Sequence, residues 1–305
     1  MTVQFPVISN EDRVKRLEPA HRKVRAVLDT DTFNEIDDQF AICYALLSPE
    51  SISLQAIYAA PFHNELSDGP KDGMEKSYNE IVKVLELMKS SVPSYPGSES
   101  YLPGPETFVE SPAARHLVEL AMASSDEDPL YVFAIGAITN VASAILMQPE
   151  IIRKIVVVWL GGHSFQWQDT REFNLQQDLH ASRIMMDSGV PLVLIPCMGV
   201  TSHLTTTLPE IREYVREQGE IGHYLYDIFE KCTKDHLGAS RVIWDMTTIA
   251  YTINPEWTPS SLVPSPHISD QFRWSFDSSR HLIRYVDHIH RDPIFKDFFS
   301  KLKRQ

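Results

Sequence analysis

Hydrophobic positions along the chain fall into short apolar runs separated by stretches of helical spacing. The run from Val24 stops on Asp29, and Ile36, Phe40, Ala41, Tyr44 and Leu47 then recur with the helical period, so a strand hands over to a helix. Ser51 to Ala59 is rich in β-formers and predicts a second strand, which ends in the loop Ala60 to Glu65. Tyr78, Ile81, Val82, Leu85 and Met88 make Glu75 to Lys89 an amphipathic helix. Val92 to Pro105 is rich in Pro and Ser and predicts an extended strand plus a loop. Ser111-Pro112 is a cap followed by Pro at a favoured first helical position, with helix over Ala113 to Ala123. Leu130 to Ile135, Ile155 to Leu160 and Val190 to Ile195 are apolar strands, the first two followed by Gly136 and Gly161-Gly162, and a helix over about 178–187 precedes the third. From Pro209 to Tyr251 the chain is mainly helical, and Asp292-Pro293 opens a terminal helix.

Strands that are apolar throughout and alternate with helices predict an α/β fold: an open, mostly parallel sheet covered by helices on both faces, with extra helices in the C-terminal third. No Pro/Gly/Ser-rich linker divides the 305 residues, so one domain over 1–305 is expected. Hydrophobic content of 43% suffices for a large core, and no apolar stretch is long enough to cross a membrane. The first 23 residues lack a signal-peptide pattern, which makes the cytoplasm the default location. Three widely spaced cysteines, Cys43, Cys197 and Cys232, fit a reducing compartment and argue against a disulfide framework or a Cys-based zinc site. The net charge of −13 argues against a nucleic-acid partner, and the basic tail Lys301 to Arg304 is too short to change that.

The turn after the first strand carries Asp29, Asp31, Glu35, Asp37 and Asp38. Capping and a solvated first turn would explain one or two of these acids. The whole group repels itself unless a cation or a set of donors compensates it, and a hard divalent cation held by oxygen ligands does so. In an open α/β sheet this edge is also where ligands bind. Asn64 follows the second strand, Ile135 ends the third apolar run, and Gln166, Glu172 and Asn174 follow the fourth. Asp245, among apolar neighbours, is expected on a buried helix, where it needs a partner; local backbone is one option and the acidic turn is another.

Taken together these residues resemble the inosine-uridine-preferring nucleoside hydrolases, calcium-dependent N-ribosyl hydrolases with an open α/β core. The resemblance rests on Asp29-Thr-Asp31 with Asp37-Asp38, Asn64, Gly136 to Asn140, Gly161-Gly162 before Glu172-Phe-Asn174, and Trp244-Asp245, in the family order. It implies that Asp31, Asp38 and Asp245 bind Ca2+ with the main-chain carbonyl of Ile135. It further implies that Asp37, Asn64, Glu172 and Asn174 hold the ribose hydroxyls, with Gln166 reaching the 5'-hydroxyl. Asp31 would accept a proton from a water oriented by the cation, as cleavage of a ribosyl C–N bond through an oxocarbenium-like state requires. Family members are commonly homo-oligomers, which makes a dimer or tetramer the expectation, with a nucleoside as small-molecule partner.

Two departures bear on substrate. Pyrimidine-tolerant members carry a His beside the metal-binding Asp as leaving-group acid, whereas here Trp244 precedes Asp245; its face can stack on a purine, or it can pack in the core. Asp31 and Asp37 are separated by two residues more than usual and lack Pro-Gly, with Asn34 expected to supply the turn conformation of a glycine. His163, His203 and His236 are leaving-group acids only if the fold brings them over the pocket. Phe62, His63 and Trp167 belong to loops near the expected mouth. The leading expectation is therefore hydrolysis of purine or related N-ribosides. The alternatives are a modified nucleoside, nicotinamide riboside or a sugar-derived glycoside as substrate, and a calcium-dependent sugar-binding relative without turnover.

Overall fold

The computed structural model describes residues 3–304. After the helix α1 (Asn10–Leu17), the chain runs β1 (Val24–Thr30), α2 (Asp37–Leu46), β2 (Ile52–Ala59), α3 (Pro70–Leu87) and β3 (Ser94–Pro96). It continues through α4 (Pro112–Met122), β4 (Leu130–Ala134), α5 (Thr139–Met147), β5 (Ile155–Leu160), α6 (Phe173–Gln177), α7 (Leu179–Asp187) and β6 (Leu192–Ile195). The eight-stranded sheet has the order β3-β2-β1-β4-β5-β6, followed by Leu282–Val286 and then Ser260–Pro264 at the edge. Every neighbouring pair is parallel except the last, where Leu282–Val286 and Ser260–Pro264 run antiparallel.

Alternate residues of the buried strands feed cores on opposite faces of the sheet. Val24, Ala26 and Leu28 of β1 pack with α2, α3 and the C-terminal helices Met246–Ile253 and Arg291–Leu302. Val27, with Leu130 and Val132 of β4, packs with α4, α5 and α7. Leu208–Tyr214 and Gly219–Lys231 complete the extra helices of the last third, all on the first face.

Several boundaries differ from the sequence pattern. The third strand shrinks to Ser94–Pro96, and the helix expected from Glu75 begins at Pro70, where Pro takes a favoured opening position. A separate short helix, α6, precedes α7 because Asp178 interrupts the pair and caps the second through Ala181 N. Ser111 caps α4 through Ala114 N, as its sequence predicts. The strand order reverses at β1: β2 and β3 lie to one side of it, β4 and its successors to the other. The carboxyl ends of β1 and β4 therefore open a crevice at a topological switch point.

Candidate active site

Asp31 follows β1, Ile135 follows β4, Glu172 and Asn174 belong to the segment after β5, and Cys197 and Met198 follow β6. All six line one cavity of about 230 Å3, together with Asn34, Glu35, Asp37, Asp38, His163, Arg171, Trp244 and Asp245. Asp245 arrives from the far end of the chain at the start of Met246–Ile253. Its side chain makes no capping hydrogen bond there, so the local-backbone explanation of its burial fails.

Carboxylate oxygens of Asp37, Asp38 and Asp245 lie within 4.8 Å of one another. Asp31 lines the same cavity but is not in this tightest trio, in which Asp37 stands beside Asp38 and Asp245. The cause lies in the longer turn, which closes early through Asn34 N donating to Asp31 O at 2.8 Å and leaves Asp37 to open α2. Asn34 is not in the left-handed region, so the expectation that it mimics a glycine is corrected; its Oδ1 instead accepts from Asn64 Nδ2 at 2.7 Å.

Burial and mutual repulsion set the electrostatics. Asp31, Asp37, Asp38 and Asp245 are each no more than 4% exposed. Desolvation, followed by Asp38 and Asp37, pushes the Asp31 carboxyl well up; desolvation followed by Asp37, Asp38 and Asp31 does the same for Asp245. Asp38 is raised by burial and partly relieved by Thr30 Oγ1, which donates to its Oδ1. Burial and the charges of Glu35 and Asp38 raise Asp37, Arg241 opposes them, and the Arg241 Nη2 is committed to Glu35 at 2.7 Å. Asp31 Oδ2 is buried and has no hydrogen-bond partner. An orphaned carboxylate oxygen beside three clustered carboxylates is a donor set of hard oxygens, and it fits a divalent cation.

The remaining sequence-derived residues separate into two groups. Glu172, far from being a surface charge, is buried at the start of α6, and its carboxylate accepts from Gly162 N at 2.9 Å, Asn174 N at 2.8 Å and Leu175 N at 3.0 Å. Asn174 Nδ2 donates to Leu160 O at 3.0 Å, which ties the amide to the end of β5. Trp244 both lines the cavity and packs against the core. Asn64 and Gln166 do not reach the cavity wall: both ends of the Asn64 amide are engaged, with Asn34 and with Leu66 N, and Gln166 is exposed on its loop.

Of the three histidines, the fold brings only His163 to the cavity. Its Nδ1 accepts from Met198 N at 3.3 Å and burial lowers its pKa, so the ring is neutral, with its proton on Nε2. His203 is bound to Val200 O and His236 to Glu230 O, both away from the cavity. The sequence reading missed Arg171, Cys197 and Met198. Cys197 and Met198 carried a signal, since they end an apolar strand just as Asp31 does. Arg171 is exposed at the mouth with its guanidinium 4.7 Å above the Phe272 ring.

Residues 26–271 match the family model described as inosine-uridine preferring nucleoside hydrolase. The pyrimidine-specific ribonucleoside hydrolase RihB of Escherichia coli strain SE11 is 27% identical over 263 residues, covering 77% of this chain and 80% of that one. The corresponding RihB protein of Shigella boydii is 31% identical over 151 residues, 47% of this chain, and the match spans only 61% of that relative's length. Among solved structures, the purine-preferring ribonucleoside hydrolase from Gardnerella vaginalis superposes with a TM-score of 0.74 at 20% identity, over 92% of this chain and 98% of that one, a likeness of fold. With the family model spanning most of its length and the eight-stranded sheet shared with such structures, the chain belongs to the inosine-uridine preferring nucleoside hydrolase family.

Proposed function

We propose that the protein hydrolyses the N-glycosidic bond of ribonucleosides, releasing base and ribose, with calcium bound at the acidic cluster. The observation that carries this reading is the convergence of Asp37 and Asp38 with Asp245, from opposite ends of the chain, in a cavity that Asp31, Glu172 and Asn174 also line. Asp38, Asp245, Asp31 and the carbonyl of Ile135 would hold the cation. When bound, it supplies charge compensation for the carboxylates and polarisation of a water and of the sugar diol.

The protein's own groups divide the remaining work. Asp31 accepts the proton of the attacking water through its uncommitted Oδ2. Glu172, held by three backbone N–H groups, and Asn174, anchored on Leu160, present a fixed surface to the ribose hydroxyls, and Asp37 faces the same diol. The negative wall favours the positive charge that develops on the sugar as the C–N bond breaks. Trp244 offers its ring to the base, a preference for the larger purine face. The E. coli relative is named as pyrimidine-specific and the Gardnerella neighbour as purine-preferring, so the base is decided by a panel of inosine, adenosine, uridine and cytidine read by reducing-sugar release. Chelation is expected to abolish ribose release and added calcium to restore it; full turnover in excess chelator would overturn the reading.

A further inference from the structure

A backbone N–H can only donate, and that of Leu66 sets the orientation of two amides in series. Leu66 N donates to Asn64 Oδ1 at 2.8 Å, so the other end of the Asn64 amide is its NH2 group. That Nδ2 donates to Asn34 Oδ1 at 2.7 Å, so the far end of the Asn34 amide is an NH2 group in its turn. Asn34 is the member of this relay that lines the cavity, and its Nδ2 donates to no acceptor among the described residues.

The loop that carries Asn64 is held from its other side as well. His63 N donates to Gln177 Oε1 at 2.9 Å and His63 O accepts from Gln177 Nε2 at 3.3 Å, and Gln177 ends α6, the helix that bears Asn174. Asn64 is thus a fixed bracket between the acidic turn and α6, with both ends of its amide engaged. The turn itself does not call for the Asn34 side chain: the Asn34 N–H closes it on Asp31 O, and its φ is not left-handed. The cavity does call for a donor at this place. Asp31, Asp37 and Glu172 accept hydrogen bonds from sugar hydroxyls but give none while ionised, and each hydroxyl oxygen has lone pairs of its own to satisfy. Asn174 Nδ2 already donates to Leu160 O, and Arg171 lies at the mouth over Phe272. Asn34 stands midway between Asp31 and Asp37 in the chain.

We infer that Asn34, not Asn64, is the amide that donates to a ribose hydroxyl, and that Asn64 is a positioning residue that acts through it by fixing which end of the Asn34 amide faces the sugar. The inference rests on the N-ribosyl hydrolase reading and adds a substrate-binding residue to it. The longer turn after β1 thereby takes over a contact that motif order assigned to the loop after β2.

The test uses the full chain at saturating calcium with the best substrate among inosine, adenosine, uridine and cytidine, and compares Asn34→Asp, Asn34→Ala, Asn64→Ala and the double variant Asn34→Ala/Asn64→Ala. Asn34→Asp keeps an oxygen for Asn64 Nδ2 and removes only the free donor. Its added negative charge favours a cationic sugar, so a loss on this variant is not an effect of charge. Asn34→Asp and Asn34→Ala should each raise KM roughly ten-fold and leave kcat within about three-fold, because a ribose contact is present both before and during bond cleavage. Asn64→Ala should raise KM less, and in the double variant it should add nothing to Asn34→Ala. A parental KM for Asn34→Asp would show that Asn34 only anchors Asn64, and overturns the inference. A loss confined to kcat would show that the turn had carried Asp31 out of place, and overturns it as well. Asn64→Ala costing as much in the double variant as alone would return the sugar contact to Asn64. A parent chain that cleaves none of the four nucleosides overturns the hydrolase reading, and this inference with it.

Discussion

Asn140, at the start of α5, donates its Nδ2 to Asp29 Oδ1 at the end of β1, 2.7 Å away, and so ties the segment after β4 to the end of β1. The same Nδ2 reaches Ala59 O at the end of β2, and its Oδ1 accepts from Ser98 N at 2.7 Å and Ser98 Oγ at 2.9 Å. One amide thus joins the carboxyl ends of β1 and β2 to the loop after β3. Asn140→Leu keeps the volume and removes every one of these bonds. Leaving several buried polar groups without partners should cost roughly 3 kcal/mol, at about 1–3 kcal/mol for each such group. Urea unfolding of the metal-free protein measures the loss, and a change under about 0.5 kcal/mol would show that the amide is dispensable.

The metal-free protein should become more stable as pH falls. Burial raises the Asp29 carboxyl from 3.8 to about 7, with Asn140 opposing, and raises Asp31, Asp37, Asp38 and Asp245 as well. A native state that holds these protons more tightly than the unfolded chain gains stability as they bind. For Asp29 that contribution is full below about pH 4 and is lost as pH rises through about 7. Calcium, which requires the ionised carboxylates, should reverse the trend, adding more stability at pH 8 than at pH 5. Melting temperatures of the chelated and calcium-loaded protein at both pH values are the measurement. A chelated protein more stable at pH 8 would contradict the electrostatics described for the cluster.

Much of this was legible before any coordinates. The continuous apolar runs of β4, β5 and β6 reveal strands buried on both faces, and five acids in one turn reveal a site because no solvated helix start requires so many. The last two strands of the sheet, Leu282–Val286 and the edge strand Ser260–Pro264, left no comparable trace: the edge strand is half-exposed and ends on Pro, and its neighbour places Arg284 on a partly exposed side. A hairpin pairing His267–Ile268 with Trp274–Ser275 lies between them in the chain and hides their antiparallel relation. Strand order, which periodicity does not encode, is what brings Cys197 and Met198 of the β6 end beside Glu172. Motif order placed Asn64 and Gln166 near the site; neither is among the residues that line the cavity, and the Asn64 amide is bound to Asn34, which does line it, and to Leu66 N.

Asp31→Asn separates the chemistry of the site from its stability. The substitution keeps the shape and removes one of the charges that raise Asp245. Ribose release should fall by roughly 10²–10⁴-fold, the usual share of a general base. The melting temperature of the chelated variant should hold or rise, because a buried carboxylate that repelled its neighbours has become neutral. Activity within a factor of a few of the parent would show that Asp31 is not the base. A large loss of stability would show that its carboxylate is a structural partner instead.

Gly136 gives a finer probe of the same carboxylate. It follows the Ile135 carbonyl at the end of β4, and a Cβ built on it would lie 3.1 Å from Asp31 Cγ, Asp31 N and the Cβ of Ala60. These contacts are tighter than a packed interior accepts without a shift of a few tenths of an ångström, and the Asp31 side chain, whose Oδ2 has no partner, is the atom group free to move. Gly136→Ala should therefore displace the carboxylate towards the cavity at a stability cost of about 1–2 kcal/mol. Catalysis depends on the position of that group more steeply than stability does, so kcat should fall by roughly 10²-fold while the melting transition stays cooperative. Calorimetric titration with calcium on the same variant tells the causes apart. Weakened calcium binding in step with kcat would place the damage at the cation's oxygen shell; unchanged binding with the same loss of kcat would place it at proton transfer. A variant with parental kcat would show that Asp31 tolerates displacement, which a general base held at hydrogen-bond distance does not.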